Sequence, residues 1–354
     1  MNTNNKIASL PAYIPQPRTA AHILDANESP FGLSASLAAD IAAAAAAVEY
    51  NRYPDPYAQG LLERYAAFSG INADNLTAGN GSDELIGIII AAYLTKGEKM
   101  LIFSPDFSMY AFYAKLYEVT PVICEKTAPD DFAVDFDRAA RMVKEHGIKL
   151  VILSSPCNPT GQAVDREAFL AFIRDTDALV VADEAYIEYA ADPASLTLAG
   201  EVVGCDNLIV LRTLSKLGFA ALRLGFAAGA AANTAILRKV KSPYNVNALS
   251  AAAGECVLNR AEEIWANVRR VRQIKAGMYS ALKNILPFDE GYRLLDTEAN
   301  FLVITAPNAA ELHARLTRSG VLTRTVGENL LRVTVGSEQS AEALNSAMKA
   351  YFRE

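Results

Sequence analysis

Four short runs in the middle of this chain are apolar at every position, and nothing else in the sequence limits the fold so strongly. They fall at 100–103, 150–153, 179–182 and 208–211 and are rich in Val, Ile and Leu. A strand with one wet face alternates apolar and polar residues. A run with no polar position has both faces buried, as in a mostly parallel sheet covered by helices. Candidate helices lie between the runs, at 138–145 and 166–174. The fold class expected is therefore α/β, with a large domain built on a mostly parallel mixed sheet.

Past residue 255 or so the texture changes. Segment 261–286 is crowded with Arg, Lys and Glu and reads as one amphipathic helix. Strands are expected at 301–304 and 330–335, with helices at 309–319 and 341–353. This is a smaller α+β domain. The 354 residues are long enough for two domains, so we expect an arm at 1–30, a large domain at 31–250 and a small one at 251–354. The arm contains Pro11, Pro15 and Pro17 and reads as extended to about Asn27. The six alanines at 42–47 read as a surface or inter-domain helix.

Several function classes fall away. The net charge of −7 argues against a nucleic-acid binder, which needs a basic stripe. The four cysteines show no Cys-x-x-Cys pair and the three histidines no His-Glu-x-x-His spacing, so no metal site is expected. The polar start MNTNNK holds no signal-peptide region, and the apolar run 85–94 is too short to span a bilayer. A cytoplasmic protein is expected.

Ligands of open α/β sheets bind beyond the carboxyl ends of the strands. There the sequence places Ser104-Pro105-Asp106-Phe107, then Ser154-Ser155-Pro156-Cys157-Asn158-Pro159-Thr160-Gly161, then Asp183-Glu184-Ala185-Tyr186, then Arg212-Thr213-Leu214-Ser215-Lys216. An aromatic ring, an amide, a carboxylate, a phenol and an amine would meet in one pocket. Pyridoxal phosphate asks for that set. Its aldehyde needs a lysine, its ring nitrogen a carboxylate, its ring oxygen donors such as Asn158 and Tyr186, and its ring face an aromatic such as Phe107. Its phosphate needs a cradle, and Gly79-Asn80-Gly81-Ser82-Asp83-Glu84 leads into an apolar helix whose N-terminus suits an anion. Ser215 and Arg223 add a hydroxyl and a guanidinium. Each residue alone has a plainer reading: Lys216 a solvated lysine, Asp183 a helix cap, Asn158 a turn residue, Phe107 a core residue. Their joint placement after successive buried strands is what favours the pocket.

With these residues in place the chain resembles the fold-type I pyridoxal-phosphate aminotransferases, and within them the histidinol-phosphate aminotransferases. The resemblance runs from Asp25-Ala26-Asn27-Glu28-Ser29-Pro30-Phe31-Gly32 and Arg52-Tyr53-Pro54-Asp55, through the segments above, to Pro243-Tyr244-Asn245-Val246-Asn247, Ala299-Asn300-Phe301-Leu302 and Leu331-Arg332-Val333-Thr334-Val335-Gly336. It implies that Lys216 bonds the cofactor and shuttles the proton, with Asp183 and Tyr186 beside it. It implies a cofactor-binding set of Tyr53, Gly81, Ser82, Asp83, Phe107, Asn158, Asp183, Tyr186, Ser215, Lys216 and Arg223. Tyr53 would reach the phosphate held by a neighbouring subunit, which implies a homodimer with shared active sites. Tyr13, Asn27, Arg324 and Arg332 would bind substrate, the arginines because a planar fork suits carboxylate or phosphate.

The activity implied is transamination between histidinol phosphate and 2-oxoglutarate, in histidine biosynthesis. An aromatic amino-acid aminotransferase and a threonine-phosphate decarboxylase share these cofactor residues and stay open. A non-catalytic binding protein is disfavoured by the retained Lys216 and Asp183. The chain departs from the usual pattern at Phe107 (commonly tyrosine), Asp106 (threonine) and Cys157 (asparagine). It is also one residue short in Leu217-Gly218-Phe219-Ala220-Ala221-Leu222.

Overall fold

A computed structural model describes residues 4–8, 10, 12, 17–126 and 132–353. Thirteen strands are described: β1 (His22–Ile23), β2 (Leu76–Asn80), β3 (Lys99–Ser104), β4 (Thr120–Glu125), β5 (Leu150–Ser154), β6 (Leu179–Asp183), β7 (Leu208–Thr213), β8 (Leu224–Gly229), β9 (Arg293–Leu295), β10 (Phe301–Thr305), β11 (Val321–Leu322), β12 (Arg324–Val326) and β13 (Leu330–Thr334). The large sheet has the order β2-β8-β7-β6-β5-β3-β4. From β7 to β4 every pairing is parallel, and only β8 runs against its neighbours.

The four all-apolar runs are the four central strands, and their alternate residues feed two different cores. Met100, Ile102, Leu150, Ile152, Val181 and Ile209 pack on one side, against Leu85, Ile86 and Ile89 of the helix Gly81–Tyr93. Leu101, Phe103, Val151, Leu153, Val180 and Val210 pack on the other, with Tyr65, Phe169 and Val271. Burying both faces is what removes the polar positions from these strands.

The second sheet is antiparallel, in the order β12-β13-β10-β9. Leu302, Ile304, Leu331 and Val333 face the main core. Phe301 and Val303 form a small cluster with Ala185 and Tyr186 from the loop after β6, so this sheet backs one wall of the strand-end loops. Residues 261–286 give the helix Ala261–Lys283, which stops three residues before the expected end. The alanine run lies in the helix Ala35–Ala46, where Leu37 is the buried residue.

The arm differs from its reading as an extended segment. Asn5–Ala8, ahead of the first proline, turns once as a helix. Further along, β1 pairs in parallel with β11, so the arm joins the edge of the C-terminal part. Among the described residues, no helix is long and apolar enough to cross a membrane.

Candidate active site

The carboxyl ends of β5, β6 and β7 and the start of the helix Gly81–Tyr93 surround a cleft. Gly81, Ser82, Asp83, Phe107, Asn158, Asp183, Tyr186, Ser215, Lys216 and Arg223 all line it. These residues are brought together as the sequence reading expects.

Asp183 forms the floor. It is the last residue of β6 and is buried. Its Oδ1 accepts from the Ala185 amide at 3.1 Å and its Oδ2 from the Tyr110 hydroxyl at 2.8 Å. Burial pushes its carboxyl up to about 7, against the pull of those two donors. A buried carboxylate in this state needs a cation.

Lys216 sits in the tight turn Ser215–Phe219 that follows β7. The Tyr189 hydroxyl donates to its carbonyl at 2.7 Å and fixes its backbone. Its Nζ lies 3.4 Å from the Ala26 carbonyl and 5.7 Å from the centre of the Tyr186 ring. Both neighbours leave the amine at the cleft. Tyr186 receives a hydrogen bond from Asn27 Nδ2 at 3.0 Å, so its own proton is free to be donated.

The anion end is a cradle made by two glycines. Gly81 opens the helix at φ 78, and a Cβ there would stand 2.8 Å from Arg223 Nη2. Gly225 of β8 lies directly beneath, where a Cβ would come within 2.3 Å of the Gly81 carbonyl carbon and the Ser82 amide nitrogen. Glycine alone lets the helix start settle onto the sheet. The first-turn N–H groups then face the cleft with no intrahelical partner. Glu84 turns back to accept from the Asn80 amide at 2.7 Å and from Asn245 at 2.8 Å, which pins this end. Arg223 Nη1 reaches Ser215 Oγ at 3.5 Å, and Nη2 reaches Asp83 Oδ2 at 3.7 Å. Gly225→Ala is expected to weaken binding of a phosphate-bearing cofactor by about tenfold or more, the worth of one charge-assisted hydrogen bond. Equilibrium dialysis of the cofactor checks this.

The chain matches the family model "Aminotransferase class I and II" over residues 22–350. It belongs to that aminotransferase family. A histidinol-phosphate aminotransferase of Clostridium novyi is 37% identical over 331 residues, covering 91% of this chain and 89% of its own. One of Chromobacterium violaceum is also 37% identical, over 98% of this chain and 97% of its own. The fold matches the crystal structure of histidinol-phosphate aminotransferase from Sinorhizobium meliloti in complex with pyridoxal-5'-phosphate, with a TM-score of 0.86 at 23% identity, covering 99% and 98% of the two chains.

An aminotransferase of this family works with pyridoxal phosphate, and the cleft fits it. Amine, buried carboxylate, free phenol and glycine cradle each meet one of the group's demands. Arg324 and Arg332, expected to bind substrate, are not among the residues that line the cleft, and Arg332 is buried. It donates to the Asp25 carbonyl at 2.6 Å and to Asn158 Oδ1. Asn158 is thereby oriented with its amide nitrogen left for the cleft. Arg324 stands directly across from Arg332 in the β12–β13 register, on the same sheet face. Tyr53 does not line the cleft; it is 81% exposed and stacks on Tyr244, with ring centres 4.7 Å apart. Tyr13 lies outside the described residues.

The sequence reading passed over Ser154, Ala185 and Thr213, which line the cleft, and Tyr110, which bonds its floor. Ser154 and Thr213 are the last residues of β5 and β7. A polar residue ending an apolar run was the signal, and stopping those strands at 153 and 211 missed it.

Proposed function

We propose that this aminotransferase takes histidinol phosphate as its amino donor and 2-oxoglutarate as its acceptor, returning glutamate, and serves histidine biosynthesis. The observation that carries this reading is the pair Arg324 and Arg332, opposite each other in register, with Arg332 tied to Asn158 of the cleft. A phosphate monoester and a dicarboxylate each need a guanidinium at one distance from the amine. The names of the relatives at 37% identity support it.

Pyridoxal phosphate, when bound, supplies an aldehyde for the amino group and a protonated ring that withdraws electrons. Lys216 would hold the cofactor through its amine and would act as the base at the substrate α-carbon. Asp183 holds positive charge at the ring nitrogen. Asn158 and Tyr186 donate to the ring oxygen. The backbone N–H groups of Gly81, Ser82 and Asp83, with Ser215 and Arg223, would hold the phosphate, and Phe107 would cover the ring face. Asn27 acts through Tyr186. The two half-reactions share one site, so the kinetics are ping-pong.

Arg324→Ala is expected to raise KM for histidinol phosphate about 10- to 100-fold with a smaller change in kcat, because a charged hydrogen bond is lost. Steady-state kinetics with donor and acceptor varied in turn check it. Arg332→Ala should raise KM and lower kcat together, since it also releases Asn158. The reading as a whole is tested by mixing the holoenzyme separately with histidinol phosphate, phenylalanine and threonine phosphate. Bleaching of the visible cofactor band by histidinol phosphate supports it. Bleaching by phenylalanine alone favours an aromatic aminotransferase. Carbon dioxide release from threonine phosphate with the band kept favours a decarboxylase.

A homodimer belongs to the same proposal. That Tyr53 is exposed and stacks on Tyr244, away from this chain's own cleft, supports it. A cytoplasmic location and the division into an arm at 1–30 and domains at 31–250 and 251–354 belong to the proposal as well.

A further inference from the structure

Tyr110 carries no role in the scheme above, yet it touches two residues that do. It is fully buried, at 0% exposure, in the helix Met109–Leu116 behind the cleft. Its hydroxyl lies 2.8 Å from Asp183 Oδ2. Its ring meets the edge of Phe107 at 5.5 Å and 85°. One side chain thus braces both the carboxylate meant for the ring nitrogen and the ring meant to stack on the cofactor.

We propose that Tyr110 is a positioning residue for the transamination, whose hydroxyl keeps the Asp183 carboxylate ionised and aimed at the cofactor's ring nitrogen. This rests on the reading of Asp183 given above. The physical case has three parts. Asp183 is buried at 3% exposure, so its charged form depends on donors. It has two of these, Ala185 N–H and Tyr110 O–H, and only the second comes from a side chain. The surrounding carboxylates Asp83 and Asp106 both oppose its ionisation, while Lys216 and Arg223 lie on the cleft rim. Burial also drives the Tyr110 phenol well above its ordinary range, so Tyr110 stays a donor at every working pH.

Removing the hydroxyl has a defined consequence. Asp183, left with the backbone donor, binds a proton more tightly and draws it from the ring nitrogen. The cofactor ring would then carry less positive charge, which would shift the visible band's pH titration upward. Packing by the phenyl ring against Phe107 is unchanged in Tyr110→Phe.

The experiment compares holoenzyme of the wild type, Tyr110→Phe, Asp183→Asn and the double variant. Tyr110→Phe should lower kcat about 10- to 100-fold with KM within about twofold, the worth of a hydrogen bond to a buried charge. The midpoint of the visible band's pH titration should rise. The double variant should behave as Asp183→Asn, because the hydroxyl acts only through that carboxylate. A wild-type kcat and an unmoved titration in Tyr110→Phe, with Asp183→Asn inactive, overturn this proposal and leave the Asp183 reading standing. A loss carried wholly in KM overturns it too. Full activity in Asp183→Asn overturns both. If Tyr110→Phe fails to fold, 3-fluorotyrosine placed at position 110 keeps the shape and strengthens the donor. It should move the titration midpoint downward, and no movement overturns the proposal.

Discussion

Lys216→Ala is expected to abolish turnover, with a fall in kcat on the order of 10⁴-fold or more. Among the described residues that line the cleft it is the only lysine. On the proposed reading the side chain carries two duties, as the amine that bonds the cofactor and as the base at the substrate carbon. Neither has an understudy nearby. The visible absorbance of covalently held cofactor should vanish at the same time. The fold should survive, because the turn is fixed by backbone contacts such as the Tyr189 hydroxyl to the Lys216 carbonyl. Kinetics, an absorbance scan and a thermal melt together check this. A variant that kept both the band and full turnover would defeat the assignment.

Asp183→Asn should move activity and stability in opposite directions. Activity falls because the cofactor's ring nitrogen loses its anionic partner. Stability of the cofactor-free protein should rise. Burial lifts the Asp183 carboxyl from the ordinary 3.8 to about 7. Between those values the folded chain holds a proton that the unfolded chain has released. The unfolded state binds fewer protons, so stability falls as pH rises through that window. Above it, wild type bears the whole cost of a buried charge, on the order of 4 kcal/mol, and the asparagine does not. Denaturant melts at pH 4 and pH 8 should show the two proteins diverging only at the higher pH. A constant difference would count against a buried ionisable Asp183. Bound cofactor should narrow the gap by placing a cation against the carboxylate.

What the sequence made legible follows from chemistry as much as from pattern. β3, β5, β6 and β7 could be read because burial on both faces leaves each with four consecutive apolar residues. β8 could not. Its sequence Leu224-Gly225-Phe226-Ala227-Ala228-Gly229 lacks any β-branched residue, and Gly225 is there for the helix start above it. β4 could not either, since it lies at the sheet edge with Pro121 inside it and only Cys124 buried. The site residues were legible where they follow strands directly, as Asp183 and Lys216 do. Tyr110 was not. No helix was expected at 109–116, and only the folded chain shows that its hydroxyl ends on a carboxylate 73 residues away in sequence.

The segment around Asn27 carries one more consequence. Asn27 donates to Tyr186, its carbonyl accepts from Asn300, and its amide donates to Thr334, contacts that span 159, 273 and 307 residues. The Asp25 carbonyl is held by Arg332, also 307 residues away. A growing chain that has been made only as far as Gly225 already owns every described residue that lines the cleft and both glycines of its cradle. It does not yet own the arginine that orients Asn158 or the sheet that backs Tyr186. Contacts across such long separations close late, since the loop entropy must be lost before they form. The cleft and the substrate wall are therefore completed at different moments of synthesis. The early segment of residues 24–27 waits, unpaired, for partners that arrive nearly the whole chain later.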